Sequence, residues 1–484
     1  MERREMESRE NFFIGNKWVS PSSKKTFKVL NASTGDFVAE VPEGQNADID
    51  NAVSAATDAF REGEWANSTS NARAQIMDKF LSTLVKRGEE IAKIVSIQNG
   101  MPIGLSTAFE AEYSAGILQY YTEQAKNFDE ALDIRPSQMG KETHVQKIPL
   151  GVVAAIVPWN YPVTLAMSKI APAMAAGCTL VIKPSPGTIL DSYILAEAAL
   201  EAGVPPGVLN WVSADREVGS YLVSHPGVNK VAFTGSSTAG RLIAETCGSL
   251  LRPVTLELGG KSAAIILEDA DIDSFIEGIP MTCLINNGQT CFAGTRILAP
   301  KNKYKQISDA VAEMVSSMVI GNAIDPETQM GPMASELHLE RVESYISTGK
   351  SEARLIAGGS RPKNNSKGWF IEPTVFTDVS NNAVIAREEI FGPVLSIIPF
   401  DGEDEAISLA NDSDFGLGGS VWSADNDHAL SVANKVNSGT VGINGYAPSI
   451  GAPFGGVKSS GLGREIGPEA IDNYQVLKST YIMS

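Results

Sequence analysis

The chain has 484 residues, 43% hydrophobic and 20% charged, with a net charge of −18. That length supports about two or three domains with a large core, and the acidity argues against nucleic acid or anionic membrane as a partner, since those need clustered Lys and Arg. The four cysteines, at 178, 247, 283 and 291, form no C-x-x-C pair, which argues against a zinc site or a disulfide framework and fits a reducing cytoplasm. The N-terminus, MERREMESRE, is charged and lacks the apolar core of a signal peptide; residues 1–11 read as a mobile tail. Phe12–Leu30 reads as short strands around a turn at Pro21-Ser22-Ser23. Helical periodicity follows over Ile49–Glu62 (capped by Asp48), Asn71–Arg87, Glu89–Asn99 and Thr107 to Asn127. Residues 129–148 alternate like a hairpin, with Pro136 and Gly140 between the arms.

From Gly151 the pattern becomes short apolar strands alternating with helices. Strands are expected at Val152–Val157, Thr179–Lys183, Val208–Val212, Lys230–Thr234 and Val254–Leu258. Helices are expected at Val163–Ala176 (kinked at Pro172), Leu190–Ala202, Glu217–Ser224 and Thr238–Cys247. The apolar stretch Leu165–Ile182 is cut by Lys169 and Pro172, unlike a membrane span. This alternation specifies an α/β fold with a parallel, doubly wound sheet whose ligands lie beyond the C-terminal strand ends. Those ends are Pro158-Trp159-Asn160, Lys183-Pro184-Ser185, Thr234-Gly235-Ser236 and Glu257-Leu258-Gly259. A second α/β region runs from about Gly260 to Phe454. It has strands at Ile265–Leu267, Phe370–Thr377, Val394–Pro399, Gly419–Trp422 and Thr440–Ile443, and helices at Asp271–Leu284, Lys303–Met318 and Asp404–Asp412. A glycine-rich run, Phe454–Gly463, closes it. The strand-like Asn473–Ile482 is placed to pair with the earlier hairpin.

Cys291 sits in Asn286–Arg296, NNGQTCFAGTR, where Asn287-Gly288 marks a turn and Gly294 breaks regular structure. A thiol with so little bulk around it is a candidate nucleophile; the plain alternative is a loop cysteine without a role. Glu257, at the end of an apolar strand, is a candidate general base with a proton affinity raised by burial, or else a structural glutamate. Asn160 offers an uncharged donor for an oxyanion, or simply a turn before Pro162. In Phe233–Gly240, FTGSSTAG, a strand enters a helix through Gly235-Ser236. That is a phosphate seat or an ordinary β–α turn, and not a Walker A loop, because Arg241-Leu242 follow. Lys183 would add a donor there, unless it is merely exposed. His144, His225, His338 and His428 lie in no site-like segment, so the base partner for Cys291 is expected to be a carboxylate. No metal site is expected.

Seven segments in this order carry a resemblance: Pro158-Trp159-Asn160-Tyr161-Pro162, Lys183-Pro184-Ser185, Phe233-Thr234-Gly235-Ser236, Glu257-Leu258-Gly259-Gly260-Lys261, Asn287-Gly288-Gln289-Thr290-Cys291, Glu388-Glu389-Ile390-Phe391-Gly392-Pro393 and Pro453-Phe454-Gly455-Gly456. Over essentially its whole length the chain resembles the NAD(P)-dependent aldehyde dehydrogenase superfamily. The resemblance implies a Rossmann-type cofactor domain (1–128 and 149–257), an α/β catalytic domain (258–455) and a small β oligomerisation arm (129–148 and 470–484) in a homodimer or homotetramer. It implies that Cys291 forms a thiohemiacetal and then a thioester, that Asn160 and the Cys291 N–H hold the oxyanion, and that Glu257 activates water. Lys169 matches a lysine of proton relay. Trp159, Lys183, Gly235, Ser236, Leu258, Glu389 and Phe391 are implied at the cofactor. Pro186 stands where many NAD-preferring relatives have a glutamate, so NAD is expected with NADP tolerated. Tyr161, Thr164, Leu165, Ser168, Thr290 and Phe292 are implied to line the aldehyde tunnel. Ser168 replaces a bulky aromatic of some relatives, and no arginine at 290–292 grips a carboxylate. An apolar aldehyde (aromatic, medium-chain or terpenoid) is therefore expected. The competing readings are a CoA-acylating aldehyde dehydrogenase, a silent structural protein on the same fold, and a cysteine hydrolase.

Overall fold

In the computed structural model, which describes residues 9–127, 133–364 and 367–483, two large sheets carry the chain. The first has eight strands in the order Lys17–Val19, Phe12–Ile14, Leu209–Trp211, Thr179–Lys183, Val152–Ile156, Lys230–Thr234, Val254–Glu257 and Gly461–Leu462. Its five central strands run parallel. Val152–Ile156, Thr179–Lys183 and Lys230–Thr234 are buried throughout, as a sheet covered by helices on both faces requires. Chain order reverses between Val152–Ile156 and Lys230–Thr234, which opens a crevice at their C-terminal ends. The helix Pro162–Ala176 crosses behind that crevice. Proline at its first turn presets the backbone, and Gly177, at φ 90°, ends it in the left-handed conformation that glycine adopts freely. The helix continues through Pro172 without interruption.

The second sheet has seven strands in the order Arg354–Ala357, Thr374–Thr377, Val394–Phe400, Arg296–Pro300, Ala263–Ile266, Gly419–Trp422 and Gly442–Ile443, parallel apart from the first. The third, three-stranded sheet pairs Gln475–Ile482 antiparallel with Glu142–Pro149, and that strand with Asp133–Pro136; residues 129–132 of the expected hairpin lie outside the described residues. No helix among the described residues is long and apolar enough to cross a membrane.

Several expectations need correction. The first helix starts at Asn46, not Ile49; Gln45 is the cap, and Asp48 sits inside the first turn, accepting from Gln45 N at 2.9 Å. Residues 9–11 are not simply a tail, because Arg9 pairs with Glu197 at 2.8 Å. The Thr107–Asn127 helix begins with a π-helical turn, Thr107–Tyr113. The strands of Phe370–Thr377 and Thr440–Ile443 shrink to Thr374–Thr377 and Gly442–Ile443. The glycine-rich run does not end with the second region: Gly461–Leu462 returns to the first sheet beside Glu257. Elements absent from the sequence reading include the strands Phe37–Pro42, Arg296–Pro300 and Arg354–Ala357 and the helices Glu336–Glu352 and Asn426–Ala433.

Candidate active site

Three residues in succession before the candidate nucleophile, Asn286, Asn287 and Gly288, have φ of 50°, 59° and 74°. Asparagine and glycine are the residues that take this left-handed region at least cost. The side chains then fix the turn. Asn286 Nδ2 donates to the Asn160 carbonyl at 2.9 Å. Asn287 Nδ2 donates to the Gly100 and Pro332 carbonyls at 2.9 Å each, and its Oδ1 accepts from Gly331 N. Gln289 Oε1 accepts from Ala334 N at 2.9 Å. Cys291, two residues further on, is only partly exposed. A Cβ on Gly260 would lie 2.3 Å from the Cys291 carbonyl oxygen, so only glycine fits there.

Around the thiol the charges are negative. Burial, then the carboxylate of Glu257, then that of Glu389, push the Cys291 thiol well above the ordinary cysteine range, so it rests protonated. Glu257 is buried at the sheet end, and neither carboxylate oxygen has a hydrogen-bond partner among the described residues. Burial and then the charge of Glu465 hold its proton affinity well above normal, while Lys169 and Arg464 pull it down. Lys169, fully buried, donates to Glu465 Oε1 at 2.7 Å and to Thr234 Oγ1 at 2.6 Å. Asn160 is held by its carbonyl, and its Nδ2 donates to the Gln289 carbonyl at 3.1 Å; an amide has a second hydrogen to offer.

On the aldehyde side, Tyr161 Oη lies 2.9 Å from Thr290 Oγ1. Thr164 donates to the Phe109 carbonyl at 2.6 Å. Phe292 stacks on Tyr446 at 4.6 Å and meets Phe454 edge-on at 6.2 Å, while Tyr161 meets Phe109 edge-on at 5.8 Å. Leu165 is half-buried on the helix that begins just after Tyr161. The Ser168 hydroxyl lies 2.8 Å from Glu465 Oε2 and 2.9 Å from the Leu165 carbonyl, so it also holds a carboxylate.

A cleft of about 530 Å³ is lined by Trp159, Ser185, Pro186, Gly187, His338 and Arg341, among others. That is the size of a small-molecule site. Gly235 takes the tight turn against the Phe233 ring, and Ser236 caps the helix Ser237–Ser249, so that helix N-terminus faces the strand end. Leu258 packs under Gly240 of the same helix. Lys183 is buried, its Nζ donating to the Pro184 carbonyl at 3.1 Å, and desolvation lowers its affinity for a proton to about 8. Glu389 Oε1 accepts from Gly260 N at 2.8 Å, and burial raises this carboxyl to about 7. Trp159 and Phe391 meet edge-on at 5.4 Å. A helix N-terminus, an amine and a carboxylate are groups that suit the pyrophosphate and ribose hydroxyls of a dinucleotide.

Sequence reasoning missed Glu465, Tyr446, Phe109 and His338. Glu465 and Tyr446 lie in irregular backbone where no period marks a residue. His338 was set aside as outside any site, yet its Nε2 lies 2.6 Å from the Phe391 carbonyl.

A mostly parallel α/β fold with a loop thiol, a buried carboxylate and a cleft of small-molecule size suits an enzyme of the thiol-dependent kind. Residues 18–480 match the model of the aldehyde dehydrogenase family, and the chain belongs to that family. It is 56% identical over 474 residues to the geranial dehydrogenase of Castellaniella defragrans, covering 98% of this chain and 99% of that one. It is 38% identical to the chloroplastic betaine aldehyde dehydrogenase of Beta vulgaris, covering 96% and 95%. Among solved structures, the Mycobacterium tuberculosis aldehyde dehydrogenase complexed with NAD+ superposes with a TM-score of 0.95 at 42% identity, covering 98% of each chain. A mutant of aldehyde dehydrogenase C from Pseudomonas syringae, complexed with NAD+ and octanal, gives 0.94 at 35% identity, covering 98% and 97%.

Proposed function

We propose that this enzyme oxidises an apolar aldehyde to the carboxylic acid with NAD+, through a thioester on Cys291. The observation that carries the mechanism is the Glu257 carboxylate, buried without a hydrogen-bond partner among the described residues and close enough for its charge to be, after burial, the largest influence on the Cys291 thiol. The Cys291 thiol gives up its proton to Glu257 and attacks the aldehyde carbon, and the second hydrogen of the Asn160 amide with the Cys291 N–H holds the oxyanion. Bound NAD+ supplies the acceptor for the hydride that leaves this carbon. The thiol's proton then leaves Glu257 through Lys169 and Glu465, which lie 2.7 Å apart. The emptied carboxylate takes a proton from water as that water attacks the thioester; the acid leaves, and this second proton returns to the Cys291 thiolate. Trp159, Lys183, Gly235, Ser236, Leu258, Glu389 and Phe391 hold the cofactor, with Pro186 placing no carboxylate against a 2′-phosphate.

The substrate wall supports an apolar aldehyde: Phe109, Tyr161, Phe292, Tyr446 and Phe454 put five aromatic rings around the route to Cys291, with no cation in the 290–292 segment. The likeness to a geranial dehydrogenase supports a terpenoid within that class. The three-stranded sheet exposes Ile134, Leu477 and Tyr481; it packs on another copy in a homodimer or homotetramer, in the cytoplasm.

The test is NADH formation with geranial, octanal, benzaldehyde and succinate semialdehyde, without added CoA, for the wild type and Cys291→Ser. Wild-type turnover on the first three and a loss of about a thousandfold or more in the variant are expected. Unchanged NADH formation in Cys291→Ser, or a requirement for CoA, would overturn the mechanism. A preference for succinate semialdehyde would overturn the substrate class.

A further inference from the structure

The segment Glu388–Gly392 connects two sides of the candidate site. The Glu389 carboxylate faces the Gly259-Gly260 turn, where a Cβ on Gly259 would sit 2.3 Å from Glu389 Oε2. The Phe391 ring faces Trp159. Phe391 itself has φ of 64°. A bulky aromatic residue there is an outlier that persists only when its surroundings force it.

What forces it is one face of the helix Glu336–Glu352. His338 Nε2 donates to the Phe391 carbonyl at 2.6 Å; a carbonyl only accepts, so the proton is on Nε2. Arg341 Nη2 donates to the Glu389 carbonyl at 2.8 Å, and Tyr345 Oη to Glu388 Oε2 at 2.6 Å. Val342 lies where a Cβ on Gly392 would come within 2.6 Å of its Cγ2, so segment and helix touch. Positions 338, 341, 342 and 345 follow the three- and four-residue spacing of one helical stripe. The His338 ring also packs edge-on against Trp159 at 5.0 Å and Phe391 at 6.0 Å. Burial keeps the imidazole neutral, lowering it to about 4, so it adds no charge beside the cleft.

We propose that His338 is a positioning residue for the cofactor half of the site: it locks the Phe391 peptide in its left-handed conformation, and with Arg341 and Tyr345 forms a clamp that presents Glu389 and Phe391 to the dinucleotide. This rests on the assignment of Glu389 and Phe391 to the cofactor. The hydrogen bonds of the clamp run to the cofactor-side segment, so the effect expected is on NAD+ more than on the aldehyde.

The experiment compares His338→Phe, which keeps a ring but loses the donor, His338→Gln, which keeps a donor, and Glu389→Gln. NAD+ affinity is read by titration calorimetry, and KM is measured separately for NAD+ and the aldehyde. Loss of the hydrogen bond and release of the strained peptide are expected to weaken NAD+ binding about tenfold in His338→Phe. The aldehyde KM should change less than about twofold, and His338→Gln should recover most of the affinity. If Glu389→Gln weakens NAD+ binding but His338→Phe does not, the clamp is refuted and the cofactor assignment stands. If Glu389→Gln leaves NAD+ binding unchanged, the cofactor assignment itself fails, and the clamp with it. If His338→Phe does not fold, Arg341→Met on the exposed end of the stripe decides: NAD+ binding within about twofold of wild type refutes the clamp.

Discussion

Replacing Lys169 with methionine separates a structural role from a proton-carrying one. The ammonium is fully buried and sits 2.7 Å from Glu465 Oε1, itself 4% exposed. Removing one partner of such a pair strands a buried charge and costs about 3–5 kcal/mol; urea denaturation at pH 7 should show a loss of that size. Adding Glu465→Gln removes the stranded charge and should restore most of it. Lys169 also lowers the proton affinity of Glu257, whereas Glu465 raises it. Loss of the lysine alone therefore raises Glu257 further. A base works only when deprotonated, so the acid limb of the thioester-hydrolysis profile moves to higher pH. A shift of about one unit corresponds to about 1.4 kcal/mol. The double variant removes both charges, and its acid limb should return to or below the wild-type position. The assay is single-turnover decay of the acyl-enzyme between pH 5.5 and 9. An acid limb unmoved in Lys169→Met, with stability also unchanged, would refute the coupling of this ion pair to Glu257.

Other outcomes follow from the same geometry. Tyr446→Ala removes the ring stacked on Phe292 at 4.6 Å; KM should rise about tenfold or more for octanal and geranial and much less for acetaldehyde, and equal effects across the series would refute an aromatic wall. Glu110 is buried with Oε2 accepting from Val163 N, and burial raises it from 4.5 to about 8. Its contribution to stability is therefore full below about 4.5 and is lost as pH rises through about 8, at up to about 1.4 kcal/mol per unit. Glu110→Gln should flatten the fall in Tm between pH 6 and 9, and an unflattened fall would place the titration elsewhere. With Pro186 beside the cleft, NADP+ should be accepted, and a preference for NAD+ above about a thousandfold in kcat/KM, which is about 4 kcal/mol, would exclude it.

The strand ends that build the site were legible because strands covered on both faces read as unbroken apolar runs, so Asn160, Lys183, Gly235 and Glu257 stood out where those runs stop. The second sheet was less legible. Arg296–Pro300 is a fully buried strand led by an arginine, whose guanidinium is satisfied by the carbonyls of Lys261, Leu409 and Ala410 and by Asn381; those partners come from distant parts of the chain. The helix Glu336–Glu352 buries only Leu339, Val342, Ile346 and Gly349 and exposes Leu337 at 77%, so its apolar stripe is narrow and its period faint. That faintness also hid His338. Glu465 and Ser168 could be linked only by the fold: they are far apart in sequence, and their contact depends on the glycine-rich run returning to the first sheet.

The turn Asn286–Gly288 has a bearing on how the enzyme matures. Its side chains grip carbonyls at Gly100, Asn160 and Pro332, contributed by segments from quite different stretches of the chain. A nascent chain with only one sheet complete has nothing to hold those three residues in a left-handed path. Cys291 then travels as an ordinary thiol, without the Asn160 amide or a buried carboxylate beside it. The catalytic setting of Cys291 thus arrives last, as a property of assembly, and the changing rate at which an alkylating reagent traps Cys291 during refolding is a clock for the docking of the two halves.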